Sequence, residues 1–130
     1  MHTKDFDAWN TVKKRINNKR RIANIRPGEL RWVALGINVG SEIDGKGTTF
    51  TRPVLIVSIS GTYLALVCPL SSKNKKIAGY VPFGWKGSIS SLCINQTKVI
   101  SQKRIGRRMG RVSENRLSLH KSQIKVFFDL

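Results

Sequence analysis

Arg104, Arg107, Arg108 and Arg111, interleaved with Gly106 and Gly110, make a dense cationic stretch in the second half of the chain. A guanidinium presents a planar fork of donors that matches phosphate oxygens, so such a run could follow a phosphate backbone. Docking of an acidic protein is the alternative use. The stretch belongs to a wider excess: 24 Lys and Arg stand against 7 Asp and Glu, a formal net charge of +17. That is far more than solubility needs and implies a large positive potential. A polyanion is the expected partner. Nucleic acid is the usual one, because neutralising its phosphates releases condensed counterions. An anionic membrane surface or an acidic protein would satisfy the same charge.

Other reactive side chains are few. His2 and His120 are the only histidines, one near the N-terminus and one far along the chain, so a pair of imidazoles dividing acid and base work is not expected. Cys68 and Cys93 both sit inside apolar runs, without C-x-x-C or His-rich spacing. They read as small core hydrophobes and not as metal ligands or a bridge, and neither a metal nor another cofactor is expected.

The elements that must position these groups are legible in outline. Over residues 4–22, Phe6, Trp9, Val12 and Ile16 recur at spacings of three to four, with Lys13, Lys14, Arg15, Lys19, Arg20 and Arg21 on the other faces. This predicts a basic amphipathic helix that docks through Phe6 and Trp9. Its charges form either a solvated face or an arm that contacts nucleic acid. Pro27 and Gly28 end the segment, and Glu29 to Leu35 then alternates as a strand, with Leu30, Trp32 and Ala34 on one face and Arg31 and Val33 on the other. Between Gly36 and Thr51, four glycines and the polar Ser41, Glu42 and Asp44 predict a long loop, a common place for function.

Pro53 to Ser60, Thr62 to Pro69 and roughly Ser88 to Val99 read as strands, with a Lys/Gly-rich connection from Ser72 to Gly87. A helix follows Ser113, a plausible N-cap with Glu114 in the first turn, and Leu117, Ile124, Phe127 and Phe128 give it an apolar stripe for core packing. Short strands and tight turns suggest a mainly β, small barrel. The expected organisation is a basic helical extension over 1–26 and a barrel domain over 27–130. No run approaches the ~20 apolar residues needed to span a bilayer, so a soluble, cytoplasmic protein is expected.

Six short segments, taken in order, resemble the MazF/PemK family of toxins from type II toxin–antitoxin systems. They are Pro27-Gly28-Glu29-Leu30-Arg31-Trp32-Val33, Gly40-Ser41-Glu42, Arg52-Pro53-Val54-Leu55-Ile56-Val57, Val67-Cys68-Pro69-Leu70-Ser71-Ser72, Ile94-Asn95-Gln96-Thr97-Lys98 and the run from Ile105 to Glu114. The similarity extends over about residues 27 to 128. It implies an SH3-like barrel that forms a homodimer, and an endoribonuclease that cuts single-stranded RNA, mRNA above all, without a metal. The products would be 2',3'-cyclic phosphate and 5'-hydroxyl ends, translation would stop, and an acidic antitoxin would hold the toxin off.

The resemblance also implies roles. Arg52 matches a functional arginine that stabilises the phosphorane, with a simple phosphate clamp or an ion pair to Glu42 as the alternatives. Ser71 falls where the family usually has Thr and would donate its hydroxyl to the scissile phosphate, unless it only caps a strand end. Glu42 matches an acid that orients Arg52 or moves the proton, or else pairs with any nearby cation. Gln96 and Lys98 match a strand segment beside the RNA groove, and Lys73, Arg104, Arg107 and Arg108 complete the expected RNA-binding set. Two other functions share this architecture: a non-catalytic binding module, and the gyrase poisons, related toxins whose tryptophan-bearing tail is not matched by Val126-Phe127-Phe128-Asp129-Leu130.

Overall fold

The computed structural model describes residues 3–130, so His2 lies outside the described residues. Helix α1 spans Phe6–Asn18. Asp5 starts it by accepting from the Ala8 amide at 2.9 Å, satisfying one of the four amides that lack helical partners. Trp9, Val12 and Ile16 form the stripe that buries against Ala34, Ile37 and Phe50. Phe6, expected to dock beside Trp9, is instead half exposed. It lies in the first turn, off the stripe that Trp9, Val12 and Ile16 form.

Trp9 meets Phe50 edge to face at 5.6 Å and lies flat against the backbone of Gly36. A Cβ on Gly36 would fall 2.1 Å from the indole, and its φ of +80° is one that L side chains avoid. Gly36→Ala is therefore expected to lift α1 off the body: left-handed backbone alone costs about 1–2 kcal/mol, and the ring must also move. Limited proteolysis should then cut within residues 3–25 at a rate the wild type does not show, and equal rates would refute this account of how α1 is held.

Seven strands follow: β1 (Glu29–Ala34), β2 (Thr51–Ser60), β3 (Leu64–Ser71), β4 (Tyr80–Trp85), β5 (Ser88–Cys93), β6 (Lys98–Ser101) and β7 (Ile105–Arg111). Helix α2 (Glu114–Phe127) ends the chain. All pairings are antiparallel, in the order β4-β5-β3-β2-β1-β7, with β6 on the far part of β3. The mainly β expectation holds, but the barrel is open: β4 and β7 are edges that do not pair. The seam between them is bridged by side chains. The Trp85 ring of β4 lies on Gly110 of β7, where an added Cβ would come within 2.4 Å of it.

Both faces of the central strands are covered. Leu55 and Val57 of β2 and Cys68 and Leu70 of β3 point to one core with Phe83, Leu92 and Ile124. Val54, Ile56, Ala65 and Val67 point to the other, with Val33, Ile100 and Ile105. β1 alternates as its sequence predicts: Leu30 points to the first core and Val33 to the second, with Trp32 half-buried and Arg31 buried. Its register on β2 is unbroken, and the irregularities on either side of Arg31 lie in its pairing with β7.

β4 and β7 are strands that the sequence pattern missed, one inside the Lys/Gly-rich connection and one in the arginine run, and the single run expected from Ser88 to Val99 divides into β5, a 3-10 turn at Ile94–Gln96 and β6. In α2, Ser113 Oγ accepts from the Arg116 amide at 3.2 Å, as the capping pattern predicts. Ile124 is buried and Leu117 packs on the core, whereas Phe127 and Phe128 are 43% and 42% exposed and do not enter it. They fall in the last turn, past the end of the strands. Cys68 and Cys93 are free, buried thiols, and burial pushes the Cys68 pKa up to about 12. None of the described helices is long and apolar enough to cross a membrane.

Candidate nucleic-acid interface and reaction centre

The open seam of the sheet leads into a cleft of about 600 Å³ lined by Trp32, Lys46, Arg52, Ser71, Trp85 and Lys86, among others. Two of these come from paired strands: β2 and β3 align Val54 with Pro69, and Arg52 of β2 and Ser71 of β3 lie beyond this pair at the cleft. Arg52 is held in place by main-chain carbonyls. Its Nε donates to Asp44 O at 2.8 Å and its Nη1 to Leu70 O at 3.2 Å. A guanidinium has five N–H donors, so three remain for a ligand in the cleft. Burial pushes the Arg52 pKa down from its ordinary value, yet an arginine stays protonated at any working pH.

Ser71 is buried, and its Oγ accepts from the Lys73 amide at 3.3 Å. That bond uses a lone pair and leaves the hydroxyl proton free to donate, so the strand-end cap and the donor role coexist. Lys73 itself is exposed, and its carbonyl accepts from Ser91 Oγ at 2.7 Å. The Lys86 ammonium lies 5.8 Å from the Trp85 ring centre, placing a cation beside an indole at the cleft rim.

Glu42 is not part of this arrangement. It is exposed on the loop between β1 and β2 and makes no ion pair with Arg52 among the described residues. Its charge acts on Lys98, whose pKa is nevertheless lowered, first by burial and then by Arg104. The acid next to Arg52 is Asp44, which offers only its carbonyl. The Asp44 carboxylate is turned away, to the Asn38 amide at 2.7 Å and to Lys4 at 3.2 Å. Arg52 thus keeps its charge uncompensated by any carboxylate hydrogen bond.

The remaining expected residues divide. Gln96 clamps the long loop, accepting from the Ile43 amide at 3.1 Å and donating to Ser41 O at 3.1 Å. Arg104 donates to Ala34 O at 3.1 Å and stacks over Trp9, and burial lowers its pKa. Arg108 is tied to Glu29 at 2.9 Å. Arg107 alone of the three is exposed without such a bond. Trp32, Trp85, Lys46 and Lys86 were missed: an indole reads as core in a sequence, and Lys86 sat in a stretch taken for a connection. Its neighbours Trp85 and Gly87 in a turn were the available signal.

Comparison with known proteins bears on the fold and the family. No curated relative matches the chain by sequence. In the solved structures, the Mycobacterium tuberculosis toxin MazF-mt6 aligns at 21% identity over 81% of this chain and 98% of that one, with a TM-score of 0.58. MazF from Deinococcus radiodurans aligns at 16% identity over 82% and 97%, with a TM-score of 0.64. An endoribonuclease solved in complex with its cognate antitoxin, from a mycobacterial species, aligns at 15% identity over 82% and 97%, with a TM-score of 0.60. Such identities speak for the fold. The model of the PemK-like, MazF-like toxins of type II toxin–antitoxin systems matches residues 26–128, and with that span the chain belongs to this toxin family.

Proposed function

We propose that the chain is an endoribonuclease acting on single-stranded RNA, with Arg52 and Ser71 at the reaction centre. The observation that carries this reading is an arginine held at a cleft by two carbonyls, with a serine hydroxyl and two indoles lining the same cleft. The indoles suit unstacked bases, whose faces pair with aromatic rings at about 1–3 kcal/mol each. Arg52 and Ser71 suit the phosphate. As the RNA 2'-hydroxyl attacks the adjacent phosphorus, negative charge grows on the non-bridging oxygens, and pre-placed donors stabilise it more than they stabilise the ground state. The 2'-hydroxyl gives its proton to solvent water, the P–O5' bond breaks and O5' takes a proton from water, leaving a 2',3'-cyclic phosphate and a 5'-hydroxyl. Lys46 and Lys86 supply the positive field that makes the cleft a poor host for a metal cation and a good one for RNA. Glu42 has no role at this centre in our reading, and Gln96, Lys98 and Arg104 act by shaping the loop and the body.

Family membership and the +17 charge support the rest of the reading: a toxin that arrests translation, is inhibited by an acidic antitoxin and works as a homodimer. The test is incubation of the purified protein with a long single-stranded RNA in excess EDTA, with mapping of cut sites and end groups. Discrete cuts leaving 5'-hydroxyl ends are expected. Tight binding with no cuts would leave a non-catalytic RNA-binding module on the same fold.

A further inference from the structure

A second cleft, of about 700 Å³, runs between α1 and the body, lined by Arg15 and Lys19 on the helix and by Arg107, Thr49, Thr51 and Trp32 opposite. Trp32 and Thr51 also line the cleft that holds Arg52, so the two clefts adjoin at these residues. Among the described residues lining either cleft there is no carboxylate. Arg15, Lys19 and Arg107 are exposed and enter no ion pair among the described residues. Helix α1, which builds one bank, precedes the residues matched by the toxin family.

Its position is fixed rather than incidental. Trp9 seals it against Gly36 and Phe50, Lys103 donates to Asn17 O at 2.7 Å at its C-terminal end, and Lys4 binds Asp44 at its start. A docked helix that adds only cations along one side of a reaction cleft lengthens the path for a polyanion.

We propose that α1 forms the second bank of a continuous RNA groove, in which the strand passes from Arg52 over Trp32 and Thr51 to Arg15, Lys19 and Arg107, which hold its phosphates. This rests on the endoribonuclease reading for the identity of the strand. It makes α1 a selector for substrate length, since only an RNA that extends beyond Trp32 and Thr51 reaches these cations. RNA is favoured over an acidic protein because this cleft adjoins the one that holds Arg52 and shares the Trp32 indole with it.

The experiment compares wild type with the double variant Arg15→Gln, Lys19→Gln, both residues being exposed and outside the reaction centre. Binding is measured on 2'-O-methyl RNA, which lacks the attacking hydroxyl, at lengths of about 5 and about 20 nucleotides and over a range of salt. The variant should bind the long RNA on the order of tenfold more weakly at low salt. Its log–log salt slope should be shallower by about 1.4, since each phosphate left without its cation removes about 0.7 for a single strand. Binding of the short RNA should be unchanged.

Equal weakening on both lengths, or none on either, would overturn the proposal. So would failure to bind an acidic antitoxin peptide with RNA binding intact. Cleavage separates this from the reading beneath it. Length-selective binding by a protein that cuts no RNA would refute the reaction and keep the groove, whereas cutting with an unchanged preference between long and short substrates would keep the reaction and refute the groove.

Discussion

Arg52→Ala should lower RNA cleavage by at least about 10²–10³-fold, the usual effect of deleting one donor to a developing oxyanion, and by more if the charge matters as it does in other phosphoryl transfers. The fold should survive with a smaller loss. Two hydrogen bonds to main-chain carbonyls disappear, each about 0.5–1.5 kcal/mol or more because the donor is charged. Arg52→Lys discriminates between the possible reasons. It keeps the positive charge but cannot span Asp44 O and Leu70 O while still presenting a fork to phosphate, so it should recover binding more than turnover. The measurement is kcat and KM on one mapped cut site, with urea unfolding as the control. A folded Arg52→Ala protein that cuts at the wild-type rate would move the reaction centre elsewhere.

The largest expected loss of stability comes from Glu29→Gln. Glu29 is buried, and its carboxylate accepts from the Arg26 amide at 2.8 Å and pairs with Arg31 at 3.1 Å and Arg108 at 2.9 Å. It ties the loop before β1, β1 itself and β7 together. Gln keeps the shape and removes the charge, which leaves the Arg31 guanidinium buried beside a neutral group. Breaking a buried pair in this way typically costs about 3–5 kcal/mol, a large part of the roughly 5–15 kcal/mol that holds a domain folded.

The same group sets a pH dependence. Burial pulls the Glu29 pKa up, but the Arg26 amide and the two arginines together outweigh it and hold the pKa below the ordinary carboxylate value. A depressed folded pKa contributes stability that is complete above the unfolded value, about 4.3, and is lost as pH falls through the folded one. The gap in urea midpoint between wild type and Glu29→Gln should therefore be wide at neutral pH and narrow in acid. A gap of constant width would mean that the carboxylate charge is not what Glu29 contributes.

Parts of this architecture could be read from the chain, and the reasons for success and failure are physical. β2 and β3 are continuous apolar runs because both their faces are covered, and such runs are visible without any structure. Trp9, Val12 and Ile16 mark a helix by spacing alone. β4 and β7 escaped because edge strands with one solvated face need few apolar residues, so Gly84, Gly106, Gly110 and the arginines concealed them. Arg52 and Ser71 were singled out through the family resemblance, and the pairing of β2 with β3 carries both to the same cleft.

Glu42 and Asp44 could not be told apart in advance. Which of two acids in a glycine-rich loop approaches an arginine depends on backbone turns at Gly36, Gly40 and Gly47, all at positive φ, and nothing in residue type dictates their combined path. Trp32 and Trp85 were invisible as ligands for a related reason. Their apolar rings satisfy core patterns, and only an open seam in the sheet leaves their faces available.

The attachment of Arg52 has an evolutionary consequence. An arginine oriented by a carboxylate is lost to a single substitution in its partner, and every such change is exposed to selection. Arg52 is oriented by the carbonyls of Asp44 and Leu70, which any residue at those positions would provide. The side chains around Arg52 can therefore drift, and the loop can change its residues, while the arginine stays held in place.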